Sequence, residues 1–217
     1  MPLRFVPEEI FEGGRVVLVS LSRIHFGAMA GVFRGLIKAA FQEAALRRPA
    51  TLRFDGAACH PIDQMRPVAF LADEFGSLVS PGSGDTGDAF FLDKAREVRV
   101  ACLLGMQGLS ALNARFHHSS RSTHLLNNAV TKIFLASDCP ETLAFFERSA
   151  PTKSFADRPV TWLPLPGYQC SASTAGSGLR VPAFDGGDLR TLRTGCGIVL
   201  RPRGFAERVQ FSRFDEN

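Results

Sequence analysis

Lysine is scarce in this 217-residue chain. It occurs only at positions 38, 94, 132 and 153, and none of the four follows a glycine. That excludes a loop of the form G-x-x-x-x-G-K-[ST], whose backbone amides and lysine cradle the β- and γ-phosphates of a nucleotide. Cysteine is sparse as well. Cys59, Cys102, Cys139, Cys170 and Cys196 are odd in number, far apart and never spaced as C-x-x-C, which argues against a disulfide framework and against zinc. Long apolar runs are missing: VVLV at 16–19 is far short of the roughly 20 residues that span a bilayer. Met1 to Glu9 carries Arg4, Pro7, Glu8 and Glu9 with no apolar stretch, unlike a signal peptide, so the expected location is the cytoplasm. G-x-S-x-G and H-E-x-x-H are also absent, which leaves an unrelated hydrolase or metal enzyme as a minor alternative. His117, His118 and His124 lie among serines without a neighbouring carboxylate or thiol. A solvated loop explains them better than a metal site.

What is present describes an ordinary globular core: 45% apolar residues and a mean hydropathy near zero. The net charge is +4, carried mostly by arginine. Arginine suits bidentate phosphate contacts, but the excess is too small to establish nucleic-acid binding. Residues 14–22, GRVVLVSLS, read as a buried strand after the Gly13-Gly14 turn. Residues 28–48 have helical periodicity, with Met29, Val32, Phe33, Leu36, Ile37, Ala40, Phe41 and Ala44 on one stripe. Arg47, Arg48 and Pro49 make a helix stop. A loop over 50–65 leads to the apolar run Val68–Ala72, which reads as a buried parallel strand. SPGSGDTGD at 80–88 reads as a flexible surface loop. A helix is expected over 89–98, with Asp88 as N-cap and Phe90, Phe91, Ala95 and Val98 inward. A strand over 99–106 and a short helix over 109–116 follow. The series ends with a helical turn over 124–130, a strand over 131–136 and a helix over 140–148.

This alternation predicts an α/β fold with a mainly parallel sheet flanked by helices. Residues 151–190 are rich in Pro, Gly and Ser. Beyond them CGIVL at 196–200 and RVQFSRF at 208–214 predict an antiparallel hairpin, turning through Pro202 and Gly204. The expected division is therefore 1–150 and 151–217.

Two carboxylates, Asp73 and Glu74, close the strand at 68–72. Acidic residues at the carboxyl end of a parallel strand sit where open α/β sheets place their ligands. In nucleotide-hydrolysing sheets the first carboxylate holds Mg²⁺ through water and the second polarises the attacking water. Gln107 ends the next strand and would lie beside them, suited to bonding both a γ-phosphate and a water; a polar strand end is the plainer meaning. Arg96 and Arg99 flank the end of the intervening helix, either as solvated cations or as a guanidinium reaching a phosphate on a neighbouring subunit. Asn127 and Asn128 precede the strand at 131–136 as turn residues or loop-orienting amides. Arg201, Arg203, Arg208 and Arg213 suit phosphate contacts, or simply an exposed basic face.

The succession GGRVVLVSL, AALRRP, RPVAFLADEF, FFLDKAREVRVACLLGMQGLSAL and LLNNAVTKIFLASDCPETLAFFE resembles the C-terminal half of type IV coupling proteins. These are the TraD/TraG-type conjugative ATPases of the FtsK/HerA-like branch of RecA-fold motors. The likeness spans roughly residues 10–150, with a weaker match at LRTLRTG, 189–195. It implies a partial RecA-like, P-loop NTPase core with an irregular or hairpin tail. It also implies a hexameric ATP-driven pump delivering DNA to a type IV secretion channel. By this resemblance Asp73 and Glu74 fall on the Walker B pair, with Asp73 holding Mg²⁺ through water. Gln107 falls on the glutamine sensor, Arg96 on the arginine finger, and Asn128 on the asparagine ahead of the last core strand. Asp73, Gln107 and Asn128 would then face bound ATP. Relaxosome or secretion components would be partners, the membrane association would be peripheral, and a patch recognising an accessory DNA-processing protein such as TraM is implied without particular residues.

The missing phosphate loop, transmembrane helices and all-helical insertion set this chain apart from that family. ATP and Mg²⁺ are expected to bind only when a Walker A partner or an N-terminal half is supplied. The alternative is a non-catalytic module that keeps the fold to dock DNA or a relaxosome protein. In either case a half-sheet leaves an apolar edge and face uncovered, so oligomers or partner dependence are expected.

Overall fold

A computed structural model of the chain describes residues 5–51, 65–82, 86–116, 119–155 and 179–211. The chain divides into two compact units, Met1–Ala129 and Val130–Asn217. The first is built on strands β1 (Val68–Ala72) and β2 (Val100–Leu104). They pair in parallel, from Val68 opposite Val100 to Ala72 opposite Leu104. Helices α1 (Glu8–Gly13), α2 (Arg23–Phe26), α3 (Met29–Thr51), α4 (Phe75–Leu78), α5 (Asp88–Ala95), α6 (Leu109–Arg115) and α7 (Ser119–Asn128) complete the described part of this unit.

Side chains alternate across a strand, so each sheet face is set by every second residue. Val68, Phe70, Val100 and Cys102 face the core, where they meet Phe41, Ala44 and Ala45 of α3, Phe91 and Ala95 of α5, and Phe11 of α1. Phe41 stacks on Phe70 at 5.3 Å and meets Phe91 edge-on at 6.3 Å. Burial in this core, reinforced by the charge of Asp88, pushes the Cys102 thiol up to about 11. The other face carries Ala69, Leu71, Ala101 and Leu103, and Leu71 and Leu103 are 67% and 61% exposed. The uncovered face expected of a half-sheet is therefore present.

Several expectations are altered. Residues 14–22 form no strand: Val16 and Leu18 are 97% and 89% exposed, and no strand pairs with this segment among the described residues. An apolar strand is stabilised only by pairing with a neighbour, and among the described residues β1 pairs with β2 and with no other strand, so the composition of 14–22 is not matched by any pairing. Helix α3 runs to Thr51, two residues past the proline expected to stop it. Its apolar stripe also divides, with Phe41 and Ala44 buried but Met29, Val32, Phe33 and Leu36 open. Asp88 is not an N-cap. Gly87 holds that position, while Asp88 is fully buried against Lys38 of α3. That pairing anchors one end of the 80–88 loop; residues 83–85 lie outside the described part.

The second unit contains β3 (Lys132–Phe134), α8 (Pro140–Ser149), β4 (Thr152–Phe155), β5 (Leu179–Pro182), α9 (Gly186–Arg190), β6 (Cys196–Arg201) and β7 (Phe205–Gln210). The hairpin of β6 and β7 forms and turns through the 3₁₀ segment Pro202–Gly204, with its second strand at Phe205–Gln210 where 208–214 was expected. β3 does not extend the parallel sheet; it pairs antiparallel with β6, Ile133 opposite Val199. With only three residues, β3 is held by that hairpin and by Phe134, which meets Phe146 of α8 edge-on at 5.0 Å. β4 and β5 form a separate antiparallel pair, and Asp185 and Asp188 form a reciprocal capping box on α9. Most of 151–190, Cys59, Cys170, His117, His118 and Arg213 lie outside the described residues. No described helix is long and apolar enough to cross a membrane.

Candidate functional site

Both parallel strands end in turns that are bonded to each other. The Gly105 N–H donates to the Ala72 carbonyl and the Phe75 N–H to the Gly105 carbonyl, each at 2.8 Å. These bonds fix the backbone on either side of Asp73 and Glu74. A Cβ on Gly105 would stand 3.1 Å from Asp73 Oδ1, so a side chain there would crowd the carboxylate. Phe75 and Gly76 are buried beneath the turn. A Cβ on Gly76 would come within 3.3 Å of Ala111 Cβ, which explains why α4 approaches α6 so closely. Arg115 of α6 reinforces that contact by donating to the Ser77 carbonyl at 3.1 Å.

Asp73 and Glu74 are both exposed. Asp73 Oδ1 accepts the Glu74 N–H at 2.9 Å. Glu74 itself adopts the left-handed conformation, φ 49° and ψ 40°, which a non-glycine residue occupies at a cost of about 1 kcal/mol or more. Gln107, two residues beyond Gly105, donates its amide to Glu74 Oε1 at 2.9 Å. Two carboxylates and an amide thus converge at the carboxyl end of the parallel pair. Asp73 has an oxygen left for a water of a hydrated Mg²⁺, a hard-oxygen contact of the kind this ion takes. Glu74 and Gln107 form a hydrogen-bonded pair able to orient a water.

Glu74 is the feature that periodicity does not reveal, because backbone sign is invisible in a residue pattern. If its strain is retained for chemistry, Glu74→Gly should be as stable as the parent or better by up to ~1 kcal/mol. Urea unfolding would measure this, and a loss beyond ~1 kcal/mol would make Glu74 a structural residue instead.

The remaining candidates are not gathered at this point. Arg96 is exposed at the C-terminal end of α5, ahead of β2. A five-residue strand separates that end of the sheet from Gln107, roughly 15 Å at about 3.3 Å per residue. Within one chain Arg96 therefore lies at the opposite edge from the carboxylates. Asn128 donates to the Ala89 carbonyl at 3.3 Å, joining α7 to the start of α5. His124 stands 3.6 Å from Asp93. In the tail, Arg201 pairs with Glu207, Arg208 with Asp188 and Arg190 with Asp138, so much of that cationic charge is internally balanced.

No known family profile and no curated protein matches this sequence. Solved structures do share its fold. The plasmid coupling protein TrwB in complex with the non-hydrolysable GTP analogue GDPNP superposes with a TM-score of 0.57 and 15% identity, over 83% of this chain and 37% of that one. The unbound bacterial conjugative coupling protein TrwBΔN70 gives 0.56 and 15%, over 83% and 38%. TrwB with the ATP analogue ADPNP gives 0.55 and 14%, over 84% and 37%. The chain thus has the α/β, RecA-like architecture of TrwB and spans well under half of TrwB's length.

Proposed function

We propose that this chain supplies the carboxylate half of a coupling-type ATPase site, acting in conjugative DNA transfer through a type IV secretion system. The observation that carries the reading is the Gln107–Glu74 hydrogen bond beside Asp73 at the carboxyl end of a parallel strand pair. The fold shared with TrwB, crystallised with GDPNP and ADPNP, supports it. Asp73 would hold Mg²⁺ through water, Glu74 would polarise the attacking water, and Gln107 would read the γ-phosphate. Arg96, at the far edge, would serve only a phosphate on a neighbouring subunit, and Asn128 would align the helices behind the site. A second polypeptide, or another part of a longer protein, would hold the β- and γ-phosphates. DNA and relaxosome or secretion proteins would be the partners. The tail ion pairs give a purely DNA-binding module less support.

Equilibrium binding of a fluorescent ATP analogue tests this reading. The isolated chain is expected to show no micromolar affinity with or without Mg²⁺, because no lysine-bearing phosphate loop is present. Adding a polypeptide that carries a G-x-x-x-x-G-K-[ST] loop and completes the site should give hydrolysis, and Glu74→Gln should abolish it while leaving binding intact. Micromolar binding by the chain alone, or hydrolysis indifferent to Glu74→Gln, would refute the proposal.

A further inference from the structure

The left-handed turn at Glu74 is tied on every side. Asp73 Oδ1 accepts the Glu74 N–H at 2.9 Å, and the Glu74 carbonyl accepts the Ser77 N–H at 2.8 Å. The next N–H, that of Phe75, reaches the Gly105 carbonyl at 2.8 Å. A strained residue persists only where its surroundings over-determine it, and the last two of these bonds need α4 in place. Helix α4 has four residues, far below the length at which a helix is stable by itself. Its final carbonyls also lack intrahelical donors, and two cations supply them. Arg115 donates to the Ser77 carbonyl at 3.1 Å from an exposed position, where water competes. Lys38 of α3 donates to the Leu78 carbonyl at 2.6 Å from a buried one. Its ammonium also lies 5.6 Å from the centre of the buried Phe75 ring, within cation–π range. Lys38 thus holds the first and the last residue of α4.

We infer that Lys38 is a positioning residue for the carboxylate site, acting through α4 to keep Glu74 left-handed and its Oε1 within reach of Gln107. Its hydrogen bonds go to Leu78, Ser80 and Asp88, none to Asp73 or Glu74, so it works at one remove from the chemistry. The exposed Gln107–Glu74 bond is open to water and holds the turn less firmly than a buried ammonium does. A carboxylate that orients a water must be fixed closely, and the residue that locks its backbone shares in that precision. This role rests on the nucleotide reading of Asp73, Glu74 and Gln107. The geometry that Lys38 fixes can be measured without any nucleotide.

The full chain carrying Lys38→Met/Asp88→Leu tests it, because removing both charges leaves no stranded carboxylate. Lys38→Met/Asp88→Asn takes its place if that chain does not fold. In ¹H–¹⁵N spectra the side-chain amide of Gln107 should move to the position of a free glutamine amide. The Phe75 N–H should exchange at least ~10-fold faster relative to the amides of the β1–β2 ladder. Phe11→Ala controls for lost stability alone: it opens the core around Phe41, of which α4 is no part, and should leave both signals at their parent values. In a site completed by a polypeptide with the phosphate loop, the double variant should lose kcat by on the order of 10²-fold at unchanged KM, as a displacement of about 1 Å can cause. Gln107 and Phe75 signals that stay in place, a Phe11→Ala chain that moves them equally, or an undiminished kcat would overturn the inference. Spectra that change as expected while Glu74→Gln leaves hydrolysis untouched would uphold Lys38 as the residue placing Glu74 and refute the nucleotide reading alone.

Discussion

Lys38→Met is expected to destabilise the chain by about 3–5 kcal/mol, the usual consequence of leaving one member of a buried ion pair without its partner. The side chains of Lys38 and Asp88 are only 4% and 1% exposed. All three ammonium protons have acceptors: Leu78 O at 2.6 Å, Ser80 Oγ at 3.1 Å and Asp88 Oδ2 at 2.6 Å. Asp88 also accepts from Gln42 Nε2 at 2.7 Å and from the Ser80 N–H at 2.6 Å. The pair therefore ties α3 to the end of α4 and to both ends of the 80–88 loop. Methionine keeps the length of the side chain and removes the charge, so Asp88 would remain buried and uncompensated. Urea unfolding of Lys38→Met and of Lys38→Met/Asp88→Leu distinguishes charge from packing. The double variant should be the more stable of the two, since removing both charges avoids the stranded carboxylate.

The same pair contributes a pH dependence of known sign. Burial lowers the pKa of Lys38 from 10.5, against the opposing pull of Asp88. Between the lowered value and 10.5 the unfolded chain binds more protons than the folded one, so this group makes stability rise with pH across that window. Lys38→Met should remove that rise.

The carboxylate site was legible in the sequence because its elements are local. An apolar run ending in Asp73-Glu74 and the next one ending before Gln107 need only parallel pairing to meet, and β1 and β2 pair with matched ends. The helices containing Phe91 and Phe146 were legible for the same reason, since apolar period is a property of adjacent residues, although the cap expected at Asp88 is not there. Long-range pairing was not. The run at 14–22 has the composition of a strand, but composition does not say whether an edge is available, and none takes it up among the described residues. TKIFLA reads the same whether its neighbour is parallel or antiparallel, and it joined β6. Lys38–Asp88 joins residues fifty apart, and nothing in either local pattern distinguishes a buried ion pair from an exposed lysine and an N-cap. Arg96 shows the limit most clearly. Its spacing from Gln107 matches the resemblance, while the strand between them keeps the two at opposite edges of the sheet.

Phe91→Ala should destabilise by about 3–5 kcal/mol, the range for removing a fully buried ring whose surroundings relax only in part. Phe91 is 2% exposed. It lies on the buried face of α5 with Asp88 and Ala95, at i, i+3 and i+7. On α3, Phe41 follows Lys38 by three residues, so the two helices meet through two adjacent layers. One layer is ionic, Lys38 with Asp88, and the other aromatic, Phe41 with Phe91. Losing the ring opens a cavity next to the ion pair and lets α5 shift, and the pair holds only while α5 keeps Asp88 against Lys38 of α3. Phe91→Leu, which keeps most of the volume, should lose less than Phe91→Ala by at least ~1 kcal/mol. Residues sharing a contact surface do not act independently. The combined variant Lys38→Met/Phe91→Ala is therefore expected to lose less than the two single losses added together, because the second change strikes an interface the first has already loosened. Chemical denaturation of all four chains measures the coupling, and strict additivity would show that the ionic and aromatic layers are separate supports.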